Sequence, residues 1–153
     1  MLFREIEHTA DLGIEVEGET PQELFRRAGL ALFFLMVSPE GVEAKTEREV
    51  IVEAEGWEDL LHDWLTRLLH LFLREGFIAR VIEVTEIAPF DKLRAGSSTG
   101  SEQALHRVRA RLVGEKLDLK RHDFYTEIKA VTYHQLSVTC RDGRWQARVI
   151  FDV

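Results

Sequence analysis

Apolar positions along the chain recur with two different periods, and the alternation between them predicts the elements. Leu12, Ile14 and Val16 alternate with Gly13, Glu15 and Glu17, the signature of a strand with one wet face. Thr20-Pro21-Gln22-Glu23 reads as a helix start: a good N-cap, a proline suited to the first helical position, and a glutamate that completes a capping box. Leu24, Ala28, Ala31 and Leu35 then share one helical stripe, widened by Phe25, Leu32 and Met36, until Ser38-Pro39-Glu40-Gly41 stops the helix. Val50, Val52 and Ala54 alternate again and predict a strand. From about Trp57 to Arg74, Leu60/Leu61, Trp64/Leu65, Leu68/Leu69 and Phe72 give a broad helical face that Gly76 ends.

The segment from Phe77 to Ile87 is rich in β-branched residues and predicts another strand. Residues 88–103 have no buried face and predict a flexible loop or insertion. From Ala104 to Leu112, Val108, Ala110 and Leu112 point inward, while Arg107, Arg109 and Arg111 point outward. The three arginines read as a solvated strand edge or as a grip for a phosphate or acidic partner. The stretch 123–134 also suits a strand. Asp142-Gly143 between two alternating runs predicts a two-residue hairpin loop in which paired residue numbers sum to 285. Leu136, Val138 and Cys140 then face the core with Trp145, Ala147, Val149 and Phe151. Ile150 and Asp152 fall on the polar side, with Asp152 opposite Tyr133. Together these elements predict one α+β domain over residues 1–153: a mixed β-sheet packed by two amphipathic helices, with a smaller β elaboration.

Composition narrows the function. No apolar run approaches the ~18 residues that span a bilayer, and the N-terminus lacks the succession of a signal peptide. The chain is therefore expected to be cytoplasmic, without a membrane partner. Cys140 is the single cysteine, which leaves no disulfide framework and no thiolate zinc cluster; a small buried strand residue is expected there. Net charge is -7, with an acidic excess of 10 over residues 1–60 and a basic excess of 3 over the remainder. An acidic chain disfavours direct nucleic-acid binding as the main activity, while the basic excess leaves room for a protein partner or a minor phosphate contact.

Candidate chemistry gathers at the two ends of the chain. Asp11 shares parity with Glu15 and Glu17, Asp152 lies on the wet side of the last strand, and the carboxylate of Val153 follows at once. If the terminal strands pair, three anionic groups meet, each pair repelling by roughly 1–4 kcal/mol at about 4 Å. A divalent cation relieves that repulsion, and all-oxygen ligation suits Ca²⁺ or Mg²⁺ over Zn²⁺. The alternative is that Asp11 caps a turn and Asp152 is a frayed end. His8 is either a further ligand or a hydrogen-bonded strand-end residue. Lys129 and His134 are candidates for site support or partner contact. His62 and His70 stand eight residues apart, too far to share one metal, and read as residues of an exposed helix face, with Asp63 and Arg67 as an i,i+4 ion pair. No HExxH, GxSxG, P-loop or GxGxxG pattern occurs, so no nucleophile with its base is specified.

Four blocks in order, EHTADLG, LLHDWLTRLLHLF, TEIKAVTYHQLSV and VIFDV, resemble the archease family over nearly the whole chain. The loop at 88–103 is longer than the family pattern, and Leu73-Arg74 stands where many members carry an acidic residue. The resemblance implies a non-catalytic protein cofactor of the tRNA-splicing RNA ligase, which joins 2′,3′-cyclic phosphate or 3′-phosphate ends to 5′-hydroxyl ends. It implies faster ligase guanylylation and multiple turnover through a transient protein contact, with RNA touched only indirectly. It also implies a divalent-cation site, calcium above all with Mg²⁺ or Mn²⁺ as alternatives, at Asp11, Asp152 and Val153, and a functional lysine at Lys129. A general chaperone or modulator of nucleic-acid enzymes and, further off, a metal-dependent hydrolase are the competing classes.

Overall fold

The computed structural model describes residues 2–8, 11–90 and 105–153. The element order is β1 (Arg4–His8), β2 (Asp11–Gly18), α1 (Pro21–Met36), β3 (Thr46–Glu55), α2 (Trp57–Glu75), β4 (Phe77–Phe90), β5 (Leu105–Lys116), β6 (Ala130–Val131), β7 (Ser137–Arg141) and β8 (Arg144–Asp152). The strands form two sheets. In one, β1 pairs β2, β2 pairs β8, and both β6 and β7 line up along the far side of β8; in the other the order is β3-β5-β4. Every pairing among the described strands is antiparallel, so the expected mixed sheet is resolved into two antiparallel ones. The domain is α+β with two helices, as the periodicity predicts.

Both helices form where their end signals stand. Thr20 is the N-cap of α1, and its Oγ1 accepts from the Glu23 backbone N–H at 3.1 Å. The Glu23 carboxylate accepts from the Glu19 N–H, not from that of Thr20, so the capping box closes one residue early. Gly76 ends α2 in the left-handed region (φ +70), where a side chain is disfavoured, and its N–H returns to Leu71 and Phe72 carbonyls. The apolar faces of both helices are buried between the sheets and against each other. Trp64, wholly buried, ties them by donating its Nε1–H to the Phe25 carbonyl at 3.0 Å.

Several local expectations are corrected. Arg107, Arg109 and Arg111 lie on β5, the centre of its sheet rather than an edge. Glutamates on both flanking strands answer them: Glu53 with Arg107, Glu49 and Glu86 with Arg109, Glu47 and Glu83 with Arg111. The 123–134 segment is a strand only over Ala130–Val131. Cys140 is exposed, because it pairs with half-buried Trp145 next to the hairpin turn, at the outer end of an edge strand. Of the 88–103 loop, residues 88–90 extend β4, and the remainder, 91–103, lies outside the described residues. His62 is half-buried: its Nε2 meets the Val131 carbonyl at 3.0 Å, its Nδ1 meets Asp63 at 3.0 Å, and its ring stacks on Tyr133. Asp63 is thereby engaged by His62 and not by Arg67, whose guanidinium donates to the Ile51 carbonyl.

Candidate functional site

The hairpin around Asp142-Gly143 forms in the expected register, from Arg141 opposite Arg144 to Ser137 opposite Arg148. Beyond that the ladder slips. Gln135 adopts a positive φ of 55, and the turn it makes, closed by Leu136 N–H to the Tyr133 carbonyl, removes residues from the pairing. When the chain rejoins β8, Ala130 and not Tyr133 stands opposite Asp152. The slip brings Lys129 to the chain end, where its backbone N–H donates to the Asp152 carbonyl at 2.7 Å.

On the other side of β8, Asp11 is the direct cross-strand partner of Asp152. Directly opposed residues of an antiparallel pair project from the same face with Cβ atoms about 4.5–5.5 Å apart, so the two aspartates are neighbours. Asp11 is half-buried and Asp152 exposed. β1 holds Asp11 from the other side through His8. The backbone of His8 is thus fixed; its side chain lies outside the described part. Gly13 allows this packing: a Cβ there would come within 2.9 Å of Ile150 Cδ1, which lies across it toward Ile6. That apolar contact buries Ile150 on the face expected to be polar.

Asp11 and Val153 line a depression of about 450 Å³. Phe3, Phe34 and Tyr125 form its apolar wall, and Glu5 adds a carboxylate. Lys129 is exposed beside this end of the molecule, whereas His134 sits on the 133–136 turn and does not line the depression. Farther along β2, Glu15 accepts from Arg4 and from Arg148 at 2.7 Å, and these bonds hold its carboxyl below the usual carboxylate range. Glu15 is thus neutralised midway along the strand, while Asp11 and Asp152 stand at the strand ends. Among the described residues no three His, Cys, Asp or Glu side chains gather as a ligand set. The carboxylates of Asp11 and Asp152 are oxygen donors of the type a hard cation takes.

The wall residues Phe3, Phe34 and Tyr125 escape sequence reasoning. Tyr125 stands on an irregular segment that no periodicity marks, held by its N–H to the Met36 carbonyl at 2.7 Å.

The archease protein family profile (MTH1598/TM1083) matches residues 3–153. The chain belongs to the archease family. Protein archease of Methanopyrus kandleri is 38% identical over 155 residues, covering 100% of both chains. That of Methanosarcina mazei is 37% identical over 151 residues, covering 99% of this chain and 95% of its own. The solution structure of Methanobacterium thermoautotrophicum protein 1598 superposes on this archease with a TM-score of 0.77 at 31% identity, over 100% of each chain. A Thermotoga maritima crystal structure, described as an archease and possible chaperone, gives 0.56 at 26% identity, covering 97% of this chain and 94% of its own. Among the described residues no helix is long and apolar enough to cross a membrane.

Proposed function

We propose that this archease activates a tRNA-splicing RNA ligase, in the cytoplasm, by presenting the acidic tip at its joined chain ends to the ligase's nucleotide site. The observation that carries the reading is the opposition of Asp11 and Asp152 across β2 and β8. Asp11 is anchored by pairing on both sides, and Asp152 by Asp11, Ala130 and the Lys129 N–H. Backbone anchored in this way fixes where the two carboxylates project from, and electrostatic assistance to a transferring guanylyl group depends on such positioning. A divalent cation, Ca²⁺ above all, held by Asp11, Asp152 and the Val153 carboxylate would supply positive charge at phosphate oxygens. Lys129 adds a cation beside them for a partner carboxylate or phosphate. In this reading bond making stays with the ligase, and archease acts as a dissociable cofactor that contributes charge and positioning.

The test is ligase guanylylation at substoichiometric archease. Wild-type protein should accelerate it over many turnovers, and Asp152→Asn or an extension beyond Val153 should remove most of the gain. Full acceleration by the extended chain would sink the ligand set. Archease incubated alone with RNA ends and nucleotides should give no product; product there would make it a hydrolase. The description of the Thermotoga relative as a possible chaperone favours a second reading. Equal help to an unrelated RNA-modifying enzyme, unaffected by Asp152→Asn, would decide for it.

A further inference from the structure

A second site of opposite charge lies where α2 ends and β3, β4 and β5 meet the 117–121 segment. Two depressions of about 570 and 750 Å³ adjoin there and share Thr46 and Lys116 in their walls. Six cations line them, Lys45, Arg48, Arg74, Lys116, Lys120 and Arg121, against the anions Glu75, Glu115 and Asp118. In a chain of net charge -7 such an excess is a local reversal.

The ion pairs show which charges are left over. Arg48 donates twice to Glu75, at 2.9 and 3.0 Å. Arg121 meets Glu115 at 2.6 Å and Asp118 at 3.3 Å, and Lys45 meets Glu43 at 3.1 Å. All three anions of the lining are thus engaged. Among the described residues no ion pair involves Arg74, Lys116 or Lys120, and all three are exposed. The C-terminus of α2 offers about half a negative charge against these three positive ones. The groove therefore retains net positive charge that an anionic ligand would neutralise.

Its apolar surface selects the kind of anion. Leu119 is 70% exposed, and the half-buried Leu117 lies in the same wall. Among the described residues that line the groove, single-stranded nucleic acid would find no exposed ring to stack on: Phe77 is only 2% exposed and is capped by the Arg48 guanidinium 5.3 Å from its centroid. An aliphatic residue beside unanswered cations suits a peptide whose apolar side chain is flanked by carboxylates. We propose that this groove docks an acidic, leucine-bearing segment of a protein partner, independently of the aspartate tip.

The test uses the full chain and a short fluorescein-labelled peptide in which Asp and Glu flank two leucines. Amide shifts should move at 45–48, 74–77 and 116–121, with saturable anisotropy. The Lys116→Glu/Lys120→Glu variant should weaken binding about tenfold, since charge reversal at two exposed groups turns attraction into repulsion. Leu119→Ser should weaken it about fivefold by removing the apolar contact. Asp152→Asn should leave the affinity unchanged, which separates this groove from the tip. An absence of shifts, shifts elsewhere, equal binding of a peptide with serine in place of leucine, or tighter binding of an oligouridylate of equal length would each overturn the assignment.

Discussion

Glu115 shows how one residue holds the segment that connects groove and tip. The residue is 5% exposed, and its carboxylate accepts from the Glu43 N–H at 2.7 Å, from Arg121 at 2.6 Å and from His122 Nε2 at 3.0 Å. His122 Nδ1 in turn accepts from the Asp118 N–H at 2.8 Å, so the ring carries its proton on Nε2. Burial alone would raise the Glu115 pKa, but the bonds from Arg121, Glu43 and His122 outweigh it and hold the group at about 2. A carboxylate depressed below its ordinary 4.5 stabilises the fold fully above pH 4.5 and loses that contribution as pH falls toward 2. The contribution is on the order of 3 kcal/mol at most. Glu115→Gln should therefore lower stability at pH 7 and flatten the acid limb of urea-unfolding stability between pH 5 and 2. An acid limb as steep as wild type would show that other carboxylates govern it. Nothing in the sequence marked this cluster, because its members come from segments that share no period.

At the scale of elements, sequence periodicity was a good guide wherever one face is buried. Leu60 through Phe72 gave α2 almost to its ends, since a wide apolar stripe has one stable placement. The hairpin register was equally legible, because Asp142 and Gly143 both take positive φ, 55 and 77, as a two-residue turn demands. Gly143→Ala should cost about 1 kcal/mol through backbone strain alone, as a Cβ there meets nothing within 4 Å. Thermal unfolding of that variant checks this; an unchanged midpoint would mean the turn relaxes. The register failed where a polar residue broke the ladder. Gln135 in a left-handed conformation is unusual for its type, and its Oε1 is held by Arg148 at 3.1 Å. A contact between residues 13 apart carries no local signature, so the shift that seats Lys129 beside Asp152 could not be read in advance. The place of β5 at the centre of its sheet was hidden for a related reason: an arginine-bearing strand face looks the same whether it meets water or glutamates.

For the molecule as a whole, the consequential feature is that the second strand and the last one are partners, which makes the two chain ends a single structural unit. Any ligand bridging Asp11 and Asp152 binds only while β2 and β8 are paired, and it must therefore stabilise the fold by mass action. With Ca²⁺ at a hundred times its dissociation constant, the gain is about 2.7 kcal/mol. For a chain of this size that raises the unfolding midpoint by about 5–11 °C. The rise should grow logarithmically with calcium, vanish on chelation, and be largely lost in Asp11→Asn and Asp152→Asn. The Lys116→Glu/Lys120→Glu variant should keep it, because those residues lie in the groove and not at the tip. Removing one aspartate also relieves repulsion in the ion-free protein, so Asp152→Asn should be no less stable than wild type when calcium is absent. A midpoint indifferent to calcium in the wild-type chain would leave the paired aspartates as a mere strand end and remove the physical basis for a cation at the tip.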